Sequence, residues 1–475
     1  MDYIQKKNRN QVILLPECID DYVSEENSVR IIDAFVTSLD LQELGFKKCK
    51  LAKAGRPPYN PHDLLKLFLY GYSNAVRSSR KLEIETHRNL EVIWLLGKLM
   101  PDFKTIADFR KDNNDSLKQV FRMFTMLCKK WGLFGKELVA VDGSKFKASN
   151  SKKNNFTKKK LDRSIKYIDE QIDKYMKELE DNDNNESEEI KLTVDEIKHR
   201  IIELTSRKAV YHGYKEKLKE EGINEISKVD PDSRLMKVNN NGMDVCYNVQ
   251  TAVDNKNNLI VDFEITSNPS DQNQLSDMAI RAKEAFEVDS LECLADKGYY
   301  NANDLKKCEE EHIVTYVAKQ IGSNKTGVRE FYTDRFKYDE TKDVYICPCN
   351  QELKFKGKKE ERNIYCNYKA CCDCQFKEQC TTSKKGREVS RSIDQDFLDI
   401  VDSRTAANKK KYLQRQLIIE HVFGTIKRTM NAAYFLTRKT RSVRGEASLT
   451  FLAYNLKRVI NILGFKEIMR RLAME

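Results

Sequence analysis

The sequence predicts an α/β protein, a mixed sheet flanked by helices. Three observations lead there. From about Asn60 to Trp131 apolar residues recur at helical period. Beyond Gly135 the period drops to two. The later strand-like runs then alternate with helical ones, the order expected of a sheet covered by helices.

The helical stretch begins with PHDLLKLFLYGYSN, where Pro61 suits a first helical position and Leu64, Leu65, Phe68 and Leu69 share one side. RSSRKLEIETHRNLEVIWLLG and FKTIADFRKDNNDSLKQVFRMFTMLCKKWG continue the pattern, carrying Arg77, Arg80, Lys81, Arg88 and Arg110. GKELVAVDGSKFKAS alternates around Val139, Val141 and Phe146, a strand with Asp142 near its middle. Residues 152–228 are heavily charged and helical, and the break at 181–187 predicts two antiparallel arms. DVCYNVQTAVDNKNNLIVDFEITS reads as a hairpin turning at Asp254 to Asn258. DQNQLSDMAIRAKEAFEV is a helix, and SLECLADKGYY a strand ending at Asp296. NANDLKKCEEEH is a helix opened by an Asn cap, and IVTYVAK a strand. A cysteine-bearing segment at 320–400 leads to YLQRQLIIEHVFGTIKR, Tyr412 to Arg428. On that helix Ile418, Ile419, Val422, Phe423 and Ile426 form one apolar face. The expected division is a helical domain at 1–133 and a sheet-based domain at 134–475, with insertions at 152–228 and 320–400.

Composition narrows the function. The 475 residues are 40% hydrophobic and 33% charged, as in a globular protein with solvated helices. No run of about 18 apolar residues occurs, and MDYIQKKNRNQ carries no signal-peptide core, so a cytoplasmic protein without a membrane partner is expected. A net charge of +11 favours a polyanion such as nucleic acid. Of 13 cysteines, eight fall between Cys308 and Cys380, a metal-site pattern rather than a disulfide framework.

Asp142, Asp296 and Glu420 sit in the first strand, at the end of the fourth, and in the late helix. Strands one and four can lie side by side in a sheet of this order, with the helix laid across them. Clustered carboxylates need cations, and hard oxygen ligands suit Mg²⁺ with Mn²⁺ as a substitute, so a two-metal phosphoryl-transfer site is the functional reading. Asp254, Asp262 and Asp271 lie in the same predicted core but outside this trio.

VAVDGSKFKA, YNVQTAVD, LADKGYYN and the string Tyr412-x2-Arg415…Glu420-x6-Lys427 resemble the DDE transposases of bacterial insertion sequences, in the branch with a Y-R-E-K signature. AGRPPYNPHDLLKLFLYGYSNAVRSSRKLE and DPDSRLMK extend the resemblance from about Ala54 to Leu463. It implies an RNase H-like core in which Asp142, Asp296 and Glu420 match the metal-binding triad. Tyr412, Arg415 and Lys427 match positions expected near the DNA backbone. The implied reaction is metal-dependent cleavage at element ends and strand transfer into target DNA, by a homodimer or larger assembly on double-stranded DNA. The alternatives are a metal-dependent endonuclease without strand transfer, or an inactive DNA-binding relative. One departure stands out: four residues, not three, separate Arg415 from Glu420. On a helix that turns Arg415 about 140° from Glu420, so either the helix starts after Arg415 or Arg415 makes a different contact. Glu420 is expected to be buried by its apolar neighbours, with Lys427 placed to meet a phosphate.

In CPCNQELKFKGKKEERNIYCNYKACCDCQFKEQC, Cys371-x2-Cys374 has the spacing of a zinc-gripping pair. Cys347 with Cys349, and Cys380, can supply the remainder of a structural Zn²⁺ site.

Overall fold

The computed structural model describes residues 18–50, 57–184, 193–238, 242–320, 322 and 324–474. MDYIQKKNRNQ, the motif residues Ala54, Gly55 and Arg56, and positions 185–187 of the acidic break lie outside the described residues.

Side-chain caps set the N-terminal helices. Asn60 accepts from His62 N at 3.0 Å ahead of Pro61–Ser73, and Asp102 accepts from Lys104 N and Thr105 N, both at 2.9 Å, ahead of Phe103–Asp112. With Ser28–Thr37, Ser79–Arg88, Leu90–Leu95 and Asn114–Lys130 they form the helical layer expected. Pro61–Ser73 buries its predicted face and also Leu67, Tyr70 and Tyr72, because the C-terminal helix Thr440–Leu472 packs on it as well.

The central sheet has six strands: β1 Leu138–Lys147, β2 Arg234–Val238, β3 Gly242–Asp254, β4 Ile260–Thr266, β5 Leu291–Ala295 and β6 Ile313–Val317. Their order is β2-β3-β1-β5-β6, with β4 also paired to β3. β3 runs antiparallel to β1, β2 and β4, the last through the predicted hairpin. β5 is parallel to β1, and β6 to β5. Parallel neighbours need crossovers, supplied by the helices Leu275–Phe286 and Ala302–Glu310. Leu138–Val141 and Val245–Asp254 are buried along their whole length instead of alternating, because helices cover both faces.

One hydrophobic cluster reaches from Val23 to Leu472, so the N-terminal helices and the sheet share a core. Buried polar contacts fasten them. Lys118 Nζ meets Asp262 Oδ1 at 2.5 Å and donates to Phe263 O at 2.8 Å. Arg77 pairs with the fully buried Glu446 at 3.4 Å. Thr440–Leu472, interrupted at Gly464 (φ 75°), is pinned to β4 by Asn455: its Oδ1 accepts from Ile260 N at 2.9 Å and its Nδ2 donates to Ile260 O at 2.8 Å.

Two smaller clusters stand apart. Helices Lys158–Asn184 and Val194–Glu220 form the expected antiparallel pair, tied by Lys208–Asp169 and Lys215–Asp162, each 2.6 Å. Phe156, Leu161, Ile168, Tyr211 and Leu218 are its core. The cysteine segment builds a five-stranded antiparallel sheet from Lys337–Asp339, Val344–Ile346, Glu352–Lys359, Arg362–Cys366 and Glu388–Ser392.

Asn455→Ala leaves a buried backbone N–H and C=O of β4 without partners. It should destabilise the fold by about 2–4 kcal/mol, read as a lowered urea midpoint at unchanged slope.

Candidate active site

The register of β1 on β5 decides where the acids meet. Val141 lies opposite Ala295, so Asp142 and Asp296, the next residue on each chain, stand side by side where β5 ends. Asp296 caps the turn Lys297–Tyr299, accepting from Gly298 N. Asp142 Oδ1 accepts from Gly143 N at 2.9 Å. Burial pushes the Asp142 carboxyl up to about 7; Arg415 opposes the rise, and Asp296 and Asp271 add to it.

The helix Lys409–Gly424 packs on β1, β3 and β5 through Ile418, Ile419, Val422 and Phe423, and Ile426 is buried in the π-turn Thr425–Thr429 after it. The apolar face is the one predicted. Glu420 is not buried by it: its side chain is exposed. The physical reason is the spacing. Arg415 falls at the centre of the buried face, where it opposes the Asp142 charge, and Glu420 is turned about 140° away to solvent. The helix therefore begins before Arg415, which makes the different contact. Arg415 Nε is buried without a hydrogen-bond partner. Tyr412 is half-buried beneath the Arg415 guanidinium, 5.9 Å from ring to charge.

Lys427 does not continue the line of Glu420. The π-turn adds a residue to its ring and rotates the chain beyond it. Lys427 Nζ donates to Ser144 Oγ at 2.6 Å and Lys145 O at 3.0 Å, and burial lowers its pKa. The chain after the turn pairs with the end of β1, Phe435 N donating to Lys147 O at 2.8 Å, which locks the helix onto the strand.

Five further residues enter that sequence reasoning did not assign. Asp271 Oδ1 accepts from Lys145 Nζ, Asn248 Nδ2 and Gln250 Nε2 at 3.0, 2.7 and 2.9 Å. Gln250 also accepts from the buried Tyr299 hydroxyl, whose pKa is driven far up by burial and by Asp142, Asp271 and Asp296. Lys145 and Gln250 lie in predicted strands, but only pairing across β1 and β3 brings them to Asp271. Asp254 and Asp262 serve elsewhere: Asp254 caps the β3–β4 turn through Lys256 N at 2.9 Å, and Asp262 pairs with Lys118.

The oxygen donors of Asp142 and Asp296 fit a hard divalent cation, and a carboxyl raised first by burial and then by neighbouring acids is what such a cation would relieve. Among the described residues no three His, Cys, Asp or Glu side chains are set to hold a metal ion as they stand, and Glu420 faces outward.

In the cysteine unit, Cys347, Cys349, Cys371, Cys374 and Cys380 line one cavity with Phe331, Phe336 and Leu353. Gln351 N donates to Cys347 Sγ at 3.3 Å. Burial, then the neighbouring Cys374, pushes the Cys349 thiol up to about 11; burial also raises Cys380 to about 11. All are free thiols. Cys366 and Cys372 do not line the cavity.

Residues 17–112 match the family described as Transposase domain (DUF772), and residues 346–460 match the Transposase DDE domain. Together the two matches support a DDE transposase of an insertion sequence. No curated protein and no solved structure matches it. A transposase of this kind acts on DNA. The second match includes the cysteine cavity, the late helix and Asn455, whereas Asp142 and Asp296 fall between the two matches. Among the described residues no helix is long and apolar enough to cross a membrane.

Because the folded pKa of Asp142 is raised, its contribution to stability is present at low pH and lost as pH rises from about 4 through about 7. Without added divalent cation, Asp142→Asn should therefore be more stable than the wild-type transposase at pH 8, by up to a few kcal/mol. The gain should shrink towards zero near pH 4, as followed by urea denaturation across pH.

Proposed function

We propose that this transposase cuts DNA at the ends of its insertion sequence and joins the freed ends to target DNA by metal-dependent phosphoryl transfer at Asp142 and Asp296. The observation that carries the reading is the parallel β1–β5 register, which sets the two acids side by side. The strand order agrees with an RNase H-like core: β1, β3 and β4 are antiparallel, β5 and β6 run parallel to β1, and β2 is an added edge strand. Asp142 and Asp296 would hold Mg²⁺, or Mn²⁺ in its place. Such an ion supplies charge neutralisation at the phosphate and a more acidic bound water.

The chain's own groups do the rest. Arg415 balances the charge of Asp142 while the acids lack a cation, and Lys427, held on β1, offers a cation to a DNA phosphate. Tyr412 supports Arg415 from one side. Glu420 is the third acid of this reading. In the structure it faces solvent, about 140° around the helix from Arg415. Two copies on paired DNA ends would complete the assembly, and the cytoplasm is the expected setting. The helical layer, residues 18–133, contributes to DNA binding.

The cysteine cavity is read as a structural Zn²⁺ site with Cys347, Cys371, Cys374 and Cys380 as ligands. Protein purified under reducing conditions should hold about one Zn²⁺ per chain. Cys371→Ser with Cys374→Ser should release it, by metal analysis.

With DNA carrying the element's ends and Mg²⁺, Asp142→Asn, Asp296→Asn and Glu420→Gln should each lower cleavage by about 10²-fold or more while end binding stays within about twofold. Mapped products should include ends joined to target. Normal cleavage by Asp142→Asn or Asp296→Asn would remove the reading, and cleavage without joined products would make the protein a nuclease.

A further inference from the structure

Asp271 lies beyond β4, just ahead of the helix Leu275–Phe286, and its carboxylate is brought against β1 one residue from Asp142. Gly143 permits the approach: a Cβ there would collide with Asp271 Oδ1 and Gln250 Nε2 and lie 3.0 Å from Asn248 Oδ1. On the other side, a Cβ on Gly298 would lie 3.1 Å from Asp296 Oδ1 and 3.9 Å from Asp271 Oδ2. Asp271 thus flanks Gly143, which follows Asp142, and Gly298, which lies in the turn that Asp296 caps. Its Oδ1 is fixed by Lys145, Asn248 and Gln250, while among the described residues Oδ2 accepts no hydrogen bond.

A second observation points to a ligand in the same gap. Asn248 is fully buried, and its Nδ2 donates to Asp271 Oδ1 and Asn268 O, so the amide orientation is set. Its Oδ1 has no partner and faces Gly143 beside Asp271. A buried acceptor left unpaired costs about 1–3 kcal/mol; a cation or its bound water would satisfy it.

We propose that Asp271 is an acid of the same centre and binds the divalent cation through Oδ2 together with Asp142 and Asp296, with Asn248 Oδ1 facing that ion's hydration shell. The inference rests on the metal-dependent reading above. The side chains flank the gap without meeting at ligand distance, and the cation draws them inward. Lys145 pairs with Asp271 at 3.0 Å and supplies its counter-charge before that happens.

The test is Mn²⁺ binding by the full-length protein in the absence of DNA, followed by the loss of the electron-paramagnetic signal of free Mn²⁺. Asp271→Asn should weaken binding about tenfold or more. Asp277→Asn, an exposed acid on the neighbouring helix, should bind as wild type. Lys145→Met keeps the acid and should bind at least as tightly as wild type. If Asp271→Asn does not fold by circular dichroism, Lys145→Met with Asp271→Asn removes the pair together and is used in its place. Wild-type binding by the Asp271 variant, beside lost binding in Asp142→Asn and Asp296→Asn, overturns the role of Asp271 alone. Wild-type binding by all three overturns the metal reading and this inference with it.

Discussion

The parallel pairing of Leu138–Val141 with Glu292–Ala295 is the constraint on which the site depends. A parallel neighbour cannot be reached by a tight turn, so the chain leaves β4, crosses through Leu275–Phe286 and returns. That path carries Asp271 ahead of the crossover and delivers Asp296 at its end. Because β5 stops at Ala295 while β1 continues to Lys147, a notch opens beside Asp142 at the carboxyl ends of the parallel strands, where open α/β sheets place their sites.

Charge compensation shapes what surrounds the notch. Buried acids close together cannot all stay ionised without cations. Three arrive from different parts of the chain: Lys145 from β1, Arg415 from the late helix and Lys427 from the turn after it. The late helix is in turn held by Phe435 on Lys147 and by Glu446, which accepts from Leu436 N, Thr437 N and the Thr437 hydroxyl. Arg77 closes this set by donating to Tyr434 O at 2.8 Å and pairing with Glu446. The two segments that match transposase domains thus meet through one buried ion pair, although more than two hundred residues lie between them.

Much of this was legible in sequence. The helical period, the strand around Asp142, the hairpin at Asp254, the Asn301 cap and the antiparallel charged arms are local patterns, and the structure forms each where it was expected. Cys371 and Cys374, two residues of the clustered cysteine segment, share one cavity with Cys347, Cys349 and Cys380. The strand order made a meeting of Asp142 and Asp296 available, because a crossover of that length returns β5 parallel to β1.

What stayed hidden depends on contacts between distant segments. The extra residue between Arg415 and Glu420 was visible, but which of the two turns inward was decided by packing: Ile418, Ile419 and Val422 claim the sheet, and Arg415 shares their face. The π-turn set Lys427 against β1, a rotation no helical wheel contains. Asp271 looked like any other acid of the core, since nothing near it in the chain marks it. The sequence by itself determined most elements of the core, their order and the two acids, one within β1 and one just past β5, because these follow from local periodicity and chain connectivity. Only the tertiary structure decided which charges face those acids, because register across β1 and β3 and the rotation of one packed helix are set by contacts among residues far apart in the chain.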